Sequence, residues 1–220
     1  SETYQHRFEA FSPNTIVIWD GLYKFNDYFL KTNQYEKLRA RLNNVTSEYL
    51  GTIFHRFIER EKQPVSIKIN HRVVESFNPF ADVSSEYPIQ FLAEKTMAFG
   101  VDHLKMKGAI LPVEATKSKS AFTTANRSLS DLEGLYIYRE DRIIYYGGWN
   151  GLVRRGDKFK LARLYIQVGN THDDLLQLNV AKSKITIPFE LLEGVTEYIQ
   201  EIRAKSVLEL SKRGLKSKSK

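Results

Sequence analysis

The chain has 220 residues, of which 42% are hydrophobic and 12% aromatic. That is enough for one large domain or two small ones with a sizeable buried core. It contains no cysteine, which excludes disulfides and thiolate metal sites and fits a cytoplasmic protein. No apolar run reaches the roughly 18 residues of a membrane-spanning helix, and Ser1-Glu-Thr-Tyr-Gln-His-Arg7 has no apolar signal core, so no membrane partner is expected.

In chain order, residues 14–20, Asn-Thr-Ile-Val-Ile-Trp-Asp, predict a buried β-branched strand. A short helix is predicted from Tyr23 to Leu30 and a longer one from Tyr35 to Arg60. The longer helix spaces Leu38, Leu42, Val45, Tyr49, Ile53 and Phe57 mostly by three and four, with a possible break at Gly51. The period then changes to two. Val65-Ser-Ile-Lys-Ile69, a turn at Asn70-His71 and Arg72-Val-Val74 predict a β-hairpin. Strands follow between Ile89 and Val113, broken near Gly100, and residues 114–130 read as a long mobile loop.

Leu135–Tyr138 and Arg142–Tyr146 predict a second hairpin around Glu140-Asp141. Further strands are expected over 161–168 and 175–180, with a turn at Ala181-Lys-Ser183. A helix from Phe189 to Leu210 carries its apolar stripe on Leu191, Leu192, Val195, Ile199, Ile202 and Leu208. The net charge of +7 is concentrated at the end: Lys212, Arg213, Lys216, Lys218 and Lys220 hold five of those charges. Residues 211–220 read as a disordered basic tail, with a nucleic-acid-binding arm as the alternative. The order of elements gives an α+β fold with helices on one face of a mixed sheet.

Two segments carry the strongest signal. They are Gly134-Leu-Tyr-Ile-Tyr-Arg-Glu-Asp-Arg-Ile-Ile-Tyr-Tyr-Gly-Gly-Trp-Asn-Gly-Leu152 and Gln177-Leu-Asn-Val-Ala-Lys-Ser-Lys-Ile-Thr-Ile-Pro188. With Asn14–Leu22, Ile67–Val74 and Asn78-Pro-Phe80, in that order, they resemble the transducer region of GHKL ATPases, the superfamily of gyrase, heat-shock protein ninety, histidine kinases and MutL. The likeness is closest to MORC-like ATP-binding proteins.

The resemblance implies the end of an ATPase domain and a helical connector over 1–61, and a transducer domain over 62–210. That domain would resemble domain two of ribosomal protein S five: a mixed four-stranded sheet with helices on one face and a left-handed crossover. It implies that Lys182 reaches the γ-phosphate of ATP held by an N-terminal GHKL domain of the same protein, with Lys184 as second choice. A lysine suits that task because its ammonium is a mobile point charge. Without the resemblance, both lysines read as solvated charges that protect a strand edge. ATP and magnesium are implied for the intact, homodimeric protein only. The chain has no Glu-x-x-x-Asn helix, adenine-binding Asp-x-Gly-x-Gly or Walker loop, so it is not expected to hydrolyse ATP on its own.

Other chemistry is weaker. His6, His55, His71, His103 and His172 show no metal-ligand spacing, and no metal site is expected. No Gly-x-Ser-x-Gly elbow supports a hydrolase, and no phosphate loop supports a small-molecule kinase. Trp149 is expected to send its indole N–H to a carbonyl. Arg154, Arg155, Lys158, Lys160 and Arg163 form a basic patch, and Arg139 and Arg142 flank a hairpin turn. These are the candidates for DNA contact, with salt bridges to Glu140 and Asp141 as the ordinary alternative for the hairpin pair. The function expected is coupling of ATP turnover to movement in DNA handling or defence. The rival is a non-enzymatic nucleic-acid-binding or scaffolding module of the same fold.

Overall fold

The computed structural model describes residues 15–17, 32–81, 87–99, 102–117, 121–169 and 185–218. The chain divides into two compact units, Ser1–Leu42 and Asn43–Lys220. In the first, residues 15–17 have no regular structure, and Ile16 and Val17 are 43% and 76% exposed. The expected buried strand is therefore not formed over those three residues, which have no ladder partner among the described residues. Residues 43–61, assigned to the connector from sequence, belong to the same compact unit as the sheet.

Helix α1 runs Thr32–Ile53 and α2 runs His55–Ile58. The interruption falls at Phe54, whose φ of −108° and ψ of 14° leave the helical region, and not at Gly51. Gly51 serves packing instead. A Cβ there would stand 2.1 Å from the carbonyl oxygen of Glu75, and the Gly51 carbonyl accepts the N–H of Phe77 at 3.1 Å. Only a glycine lets the chain after the hairpin lie this close to the helix.

That hairpin pairs β1 (Lys68–Ile69) with β2 (Arg72–Val73). Asn70 and His71 both take positive φ, 48° and 67°, the two left-handed residues of a type I′ turn whose twist matches the strands. Among the described residues the larger sheet has six strands: β3 (Gln90–Phe91), β4 (Lys95–Phe99), β5 (Asp102–Ile110), β6 (Gly134–Arg139), β7 (Arg142–Tyr146) and β8 (Ala162–Val168). Its order is β3-β5-β8-β6-β7, with β4 also pairing β5. β6 and β8 run parallel and the other pairs antiparallel, so the sheet is mixed. The region before Val113 supplies three of the strands among the described residues.

The chain ends in α3, Phe189–Lys218, which continues past the expected end at Leu210. The class is α+β, with a mixed sheet and a C-terminal helix. α3 buries Leu191, Val195, Tyr198, Ile199 and Ile202 against Leu135, Ile137, Leu164 and Ile166. The Tyr198 hydroxyl donates to the Ala93 carbonyl at 2.7 Å and accepts the Gly108 N–H at 2.9 Å.

The opposite face is covered as well, a correction to the one-sided arrangement expected from sequence. Ile53, Leu50 and Phe54 pack on Tyr136, Tyr138 and Ile143. The cause is the alternation in β6: Leu135 and Ile137 point to α3, while Tyr136 and Tyr138 point away and need their own cover. Both tyrosines are fully buried. The described part of the expected mobile loop is also anchored, by Phe122 and Leu129, both buried. Among the described residues, no helix is long and apolar enough to cross a membrane.

Candidate functional site

The β6–β7 hairpin runs into Gly147-Gly-Trp-Asn-Gly151, and this turn organises the candidate site. Gly147, Gly148, Asn150 and Gly151 have φ of 76°, 74°, 53° and 82°. Three of the four are glycine because the left-handed region excludes most side chains. The Gly147 N–H reaches the Leu135 carbonyl at 3.0 Å, and Leu135 N–H returns to the Gly148 carbonyl at 2.8 Å. The turn is therefore stitched to the start of β6.

Trp149 is buried at the centre. Its indole N–H donates to the Glu133 carboxylate at 2.5 Å, not to the carbonyl expected from sequence. The other Glu133 oxygen accepts the Gly156 N–H at 3.1 Å. Burial pushes the Glu133 carboxyl above its ordinary range, and the bonds from Trp149 and Gly156 and the charges of Arg203 and Arg155 pull it partly back. Arg203, from α3, lies 3.6 Å above the Phe159 ring and donates to the Arg154 carbonyl at 2.8 Å. Turn, loop 153–160 and α3 are thus held as one assembly around Glu133.

A cleft of about 320 Å³ opens over the turn, bordered by Arg127, Asp131, Tyr145, Asn150 and Arg155. Arg155 is exposed and donates to the Asp131 carbonyl at 3.3 Å. Arg127 lies 3.6 Å from the Glu48 carboxylate and 4.7 Å above the Tyr146 ring. The Asp131 carboxylate accepts the N–H and hydroxyl of Ser128 at 2.9 and 2.7 Å. Those bonds, with Arg155 and Arg127, hold its carboxyl below the usual range. Asn150 Nδ2 donates to the carbonyl of Ile185 at 2.5 Å, tying in the chain that follows Lys184. Lys182 and Lys184 themselves lie outside the described residues, as do the predicted strand 175–180 and turn 181–183.

The DNA candidates do not share one surface. Arg139 ends β6 and Arg142 begins β7, whereas Arg155 sits by the opposite end of that hairpin, roughly 17 Å away at about 3.3 Å per strand residue. Asp141 pairs with Arg60 at 2.6 Å and Arg56 at 3.9 Å. Arg142 instead lies 5.5 Å above the Phe54 ring. Arg154 and Lys158 are exposed, while Lys160 is bound to Asp157 at 3.0 Å.

Arg163 leaves the basic patch altogether. It is fully buried, donates to the carbonyls of Pro79 and Phe122, and lies 5.5 Å from the Tyr136 ring centre. Burial lowers its pKa from the ordinary arginine value. It is a clamp between two loops and cannot reach a phosphate backbone.

A second polar cluster escaped the sequence altogether. His55 is buried, with Nε2 at 2.9 Å from the Tyr138 hydroxyl and Nδ1 at 3.5 Å from the Glu59 carboxylate. Burial lowers its pKa, against the opposing pull of Glu59. Arg56 lies 4.1 Å above the Tyr138 ring and seals the cluster from solvent, so it serves the packing of α2 on the sheet. Among the described residues no three His, Cys, Asp or Glu side chains gather to hold a metal. No family model, curated protein or solved structure matches the chain.

Proposed function

We propose that this chain is the transducer portion of a GHKL-type ATPase, closest to the MORC-like proteins. Its fold would be the transducer domain that resembles domain two of ribosomal protein S five. It couples ATP binding and hydrolysis in an N-terminal domain of the same protein to conformational change, in DNA handling or defence. One observation supports the reading above others. The two segments that carry the resemblance, Gly134–Leu152 and Gln177–Pro188, are joined by the bond from Asn150 to Ile185, across 35 positions. Ile185, which follows the predicted Lys-Ser turn in sequence, is thereby fixed to the glycine-rich turn.

In this reading Lys182, with Lys184 as alternative, supplies a positive charge to the γ-phosphate. A lysine, as a mobile point charge, responds to whether that phosphate is present, and releases when it leaves. The donors at the glycine-rich turn suit a phosphate group and not a whole nucleotide. They are two guanidiniums and a phenol. In this reading adenine and magnesium belong to the N-terminal domain, and the homodimer to the intact protein.

Hydrogen–deuterium exchange on the intact protein tests this. A non-hydrolysable ATP analogue is expected to slow exchange across 177–188, and ADP is not. Equal exchange with both nucleotides removes the γ-phosphate contact from the account.

The exposed run of Arg154, Arg155 and Lys158 favours a second reading, a nucleic-acid-binding or scaffolding module without ATP chemistry. DNA binding that falls steeply with salt and ignores ATP in the intact protein would favour it.

A further inference from the structure

We propose that the cleft over the Gly147–Gly151 turn is a phosphate-binding site built from Arg127, Arg155 and Tyr145. The site stands on described residues alone and holds whether or not the chain is a transducer.

Its floor is bare backbone. A Cβ placed on Gly148 would meet only the Tyr145 hydroxyl, at 3.7 Å, and one placed on Gly151 would meet nothing within 4 Å among the described residues. With φ of 74° and 82° there, the glycines leave room for a ligand to approach the main chain. The N–H groups of Gly147, Gly148 and Asn150 are engaged by Leu135, Glu133 and Tyr145, so the floor gives access and the donors come from side chains.

Its walls supply the donors. Arg127 Nη1 lies 3.8 Å from the position of a Cβ on Gly147, so one guanidinium overhangs the floor. Arg155 stands across the cleft, its described contact being a backbone carbonyl at 3.3 Å. Arg155 also faces the charge of Asp131, but with one described hydrogen bond its guanidinium retains most of its five N–H donors for a ligand. The Tyr145 hydroxyl accepts the Asn150 N–H at 3.2 Å, which leaves its own proton to donate. Burial keeps that phenol protonated by raising its pKa.

Of the acids near these arginines, Glu133 is held by Trp149 and Gly156, and Asp131 and Glu48 have other donors as well. Both Ser128 bonds fall on the Asp131 carboxylate, and Glu48 is bound to the N–H and side-chain amide of Asn126 at 3.2 and 2.7 Å. Neither needs the whole charge of an arginine. Two guanidiniums and a phenol facing one opening match the three-oxygen face of a phosphate, the geometry for which arginine is favoured over lysine. The volume, about 320 Å³, lies at the low end of ligand pockets. It accepts a phosphate with its waters more readily than a full nucleotide.

The test is titration of inorganic phosphate into the whole 220-residue chain at constant ionic strength, followed by amide ¹⁵N–¹H shifts. Saturable shifts are expected at Gly147, Gly148 and Gly151. Losing one charge-assisted bond should raise Kd about tenfold in Arg155→Gln. Arg155 is exposed, so this variant should fold. Arg154→Gln, one residue along and outside the cleft, should leave Kd within about twofold. Parallel titrations with AMP and pyrophosphate separate recognition of a terminal phosphate from recognition of a polyphosphate. Absence of saturation, an unchanged Kd in Arg155→Gln, or an equal loss in Arg154→Gln would overturn the site. None of these outcomes bears on whether Lys182 meets ATP in the intact protein.

Discussion

Replacing Gly51 by alanine should destabilise the protein, although the same change in a helix interior ordinarily stabilises it by about 1 kcal/mol. The structure supplies the sign. The new Cβ would stand 2.1 Å from the Glu75 carbonyl oxygen, 3.3 Å from its carbon and 3.4 Å from Val74 Cγ1. A comfortable contact needs roughly 1 Å more, and backbone must move to give it. Val74 is buried, and the Phe77 N–H holds the Gly51 carbonyl at 3.1 Å, so both resist. Overpacking costs about 1–3 kcal/mol and the loosened bond about 1 kcal/mol; the helical gain offsets part of this, leaving a net loss of about 1–3 kcal/mol.

Gly194→Ala in α3 is the matched control. Its Cβ would meet Met97 Cε at 2.4 Å, the far end of a flexible side chain that can swing aside. That variant should be neutral or more stable by up to about 1 kcal/mol. Urea denaturation of both variants by far-UV circular dichroism gives the comparison. If Gly51→Ala gains as much as Gly194→Ala, the close approach of Glu75 to the helix is wrong.

Trp149→Phe removes the indole donor from a buried carboxylate and should cost about 1–3 kcal/mol in urea denaturation. It should also push the Glu133 carboxyl higher still, since the Trp149 bond is what most opposes burial there. Glu133 makes stability fall as pH rises from its ordinary 4.5 through the raised folded value, because the unfolded chain ionises first. Glu133→Gln should remove that slope, and a slope that survives would locate the effect elsewhere.

His55 acts with the opposite sense. Its folded pKa lies below the ordinary 6.5, so stability falls as pH drops below 6.5 and levels off at the folded value. The groups facing it are Glu59, Arg56, Asp141 and Tyr138. His55→Gln should flatten the profile just below pH 6.5; an unchanged profile would contradict the cluster. Arg163→Met strands the Pro79 and Phe122 carbonyls and should cost about 1–3 kcal/mol. DNA affinity, followed by fluorescence anisotropy at fixed salt, should be unchanged; lost affinity at full stability would restore Arg163 to a surface role.

The hairpins were legible because each states its period and its turn. Alternation on either side of Asn70-His71 and Glu140-Asp141 places the reversals where the structure has them. Gly51 was legible only as a weak helix position, because the segment that presses on it is more than twenty residues away in sequence. Arg163, Tyr165 and Gln167 alternate with Leu164, Ile166 and Val168, which reads as one polar face. Two loops fold over Arg163 and reverse that reading. The cleft shows the same limit. Gly147, Gly148 and Gly151 stand out in the sequence, but Arg127, Asp131 and Glu133 join them only through the fold, and no periodicity brings them together. The second layer on the sheet was hidden because tyrosine suits either surface or core.

The central claim is tested most directly by ATP turnover of the intact protein, with and without Lys182→Ala, and with Lys184→Ala beside it. If Lys182 meets the γ-phosphate, its removal should lower kcat by roughly a hundredfold or more while ATP still binds, and this chain alone should be inert. A fall confined to Lys184→Ala would move the contact to that residue. Full activity in both variants would contradict the transducer account and leave the nucleic-acid-binding module in its place.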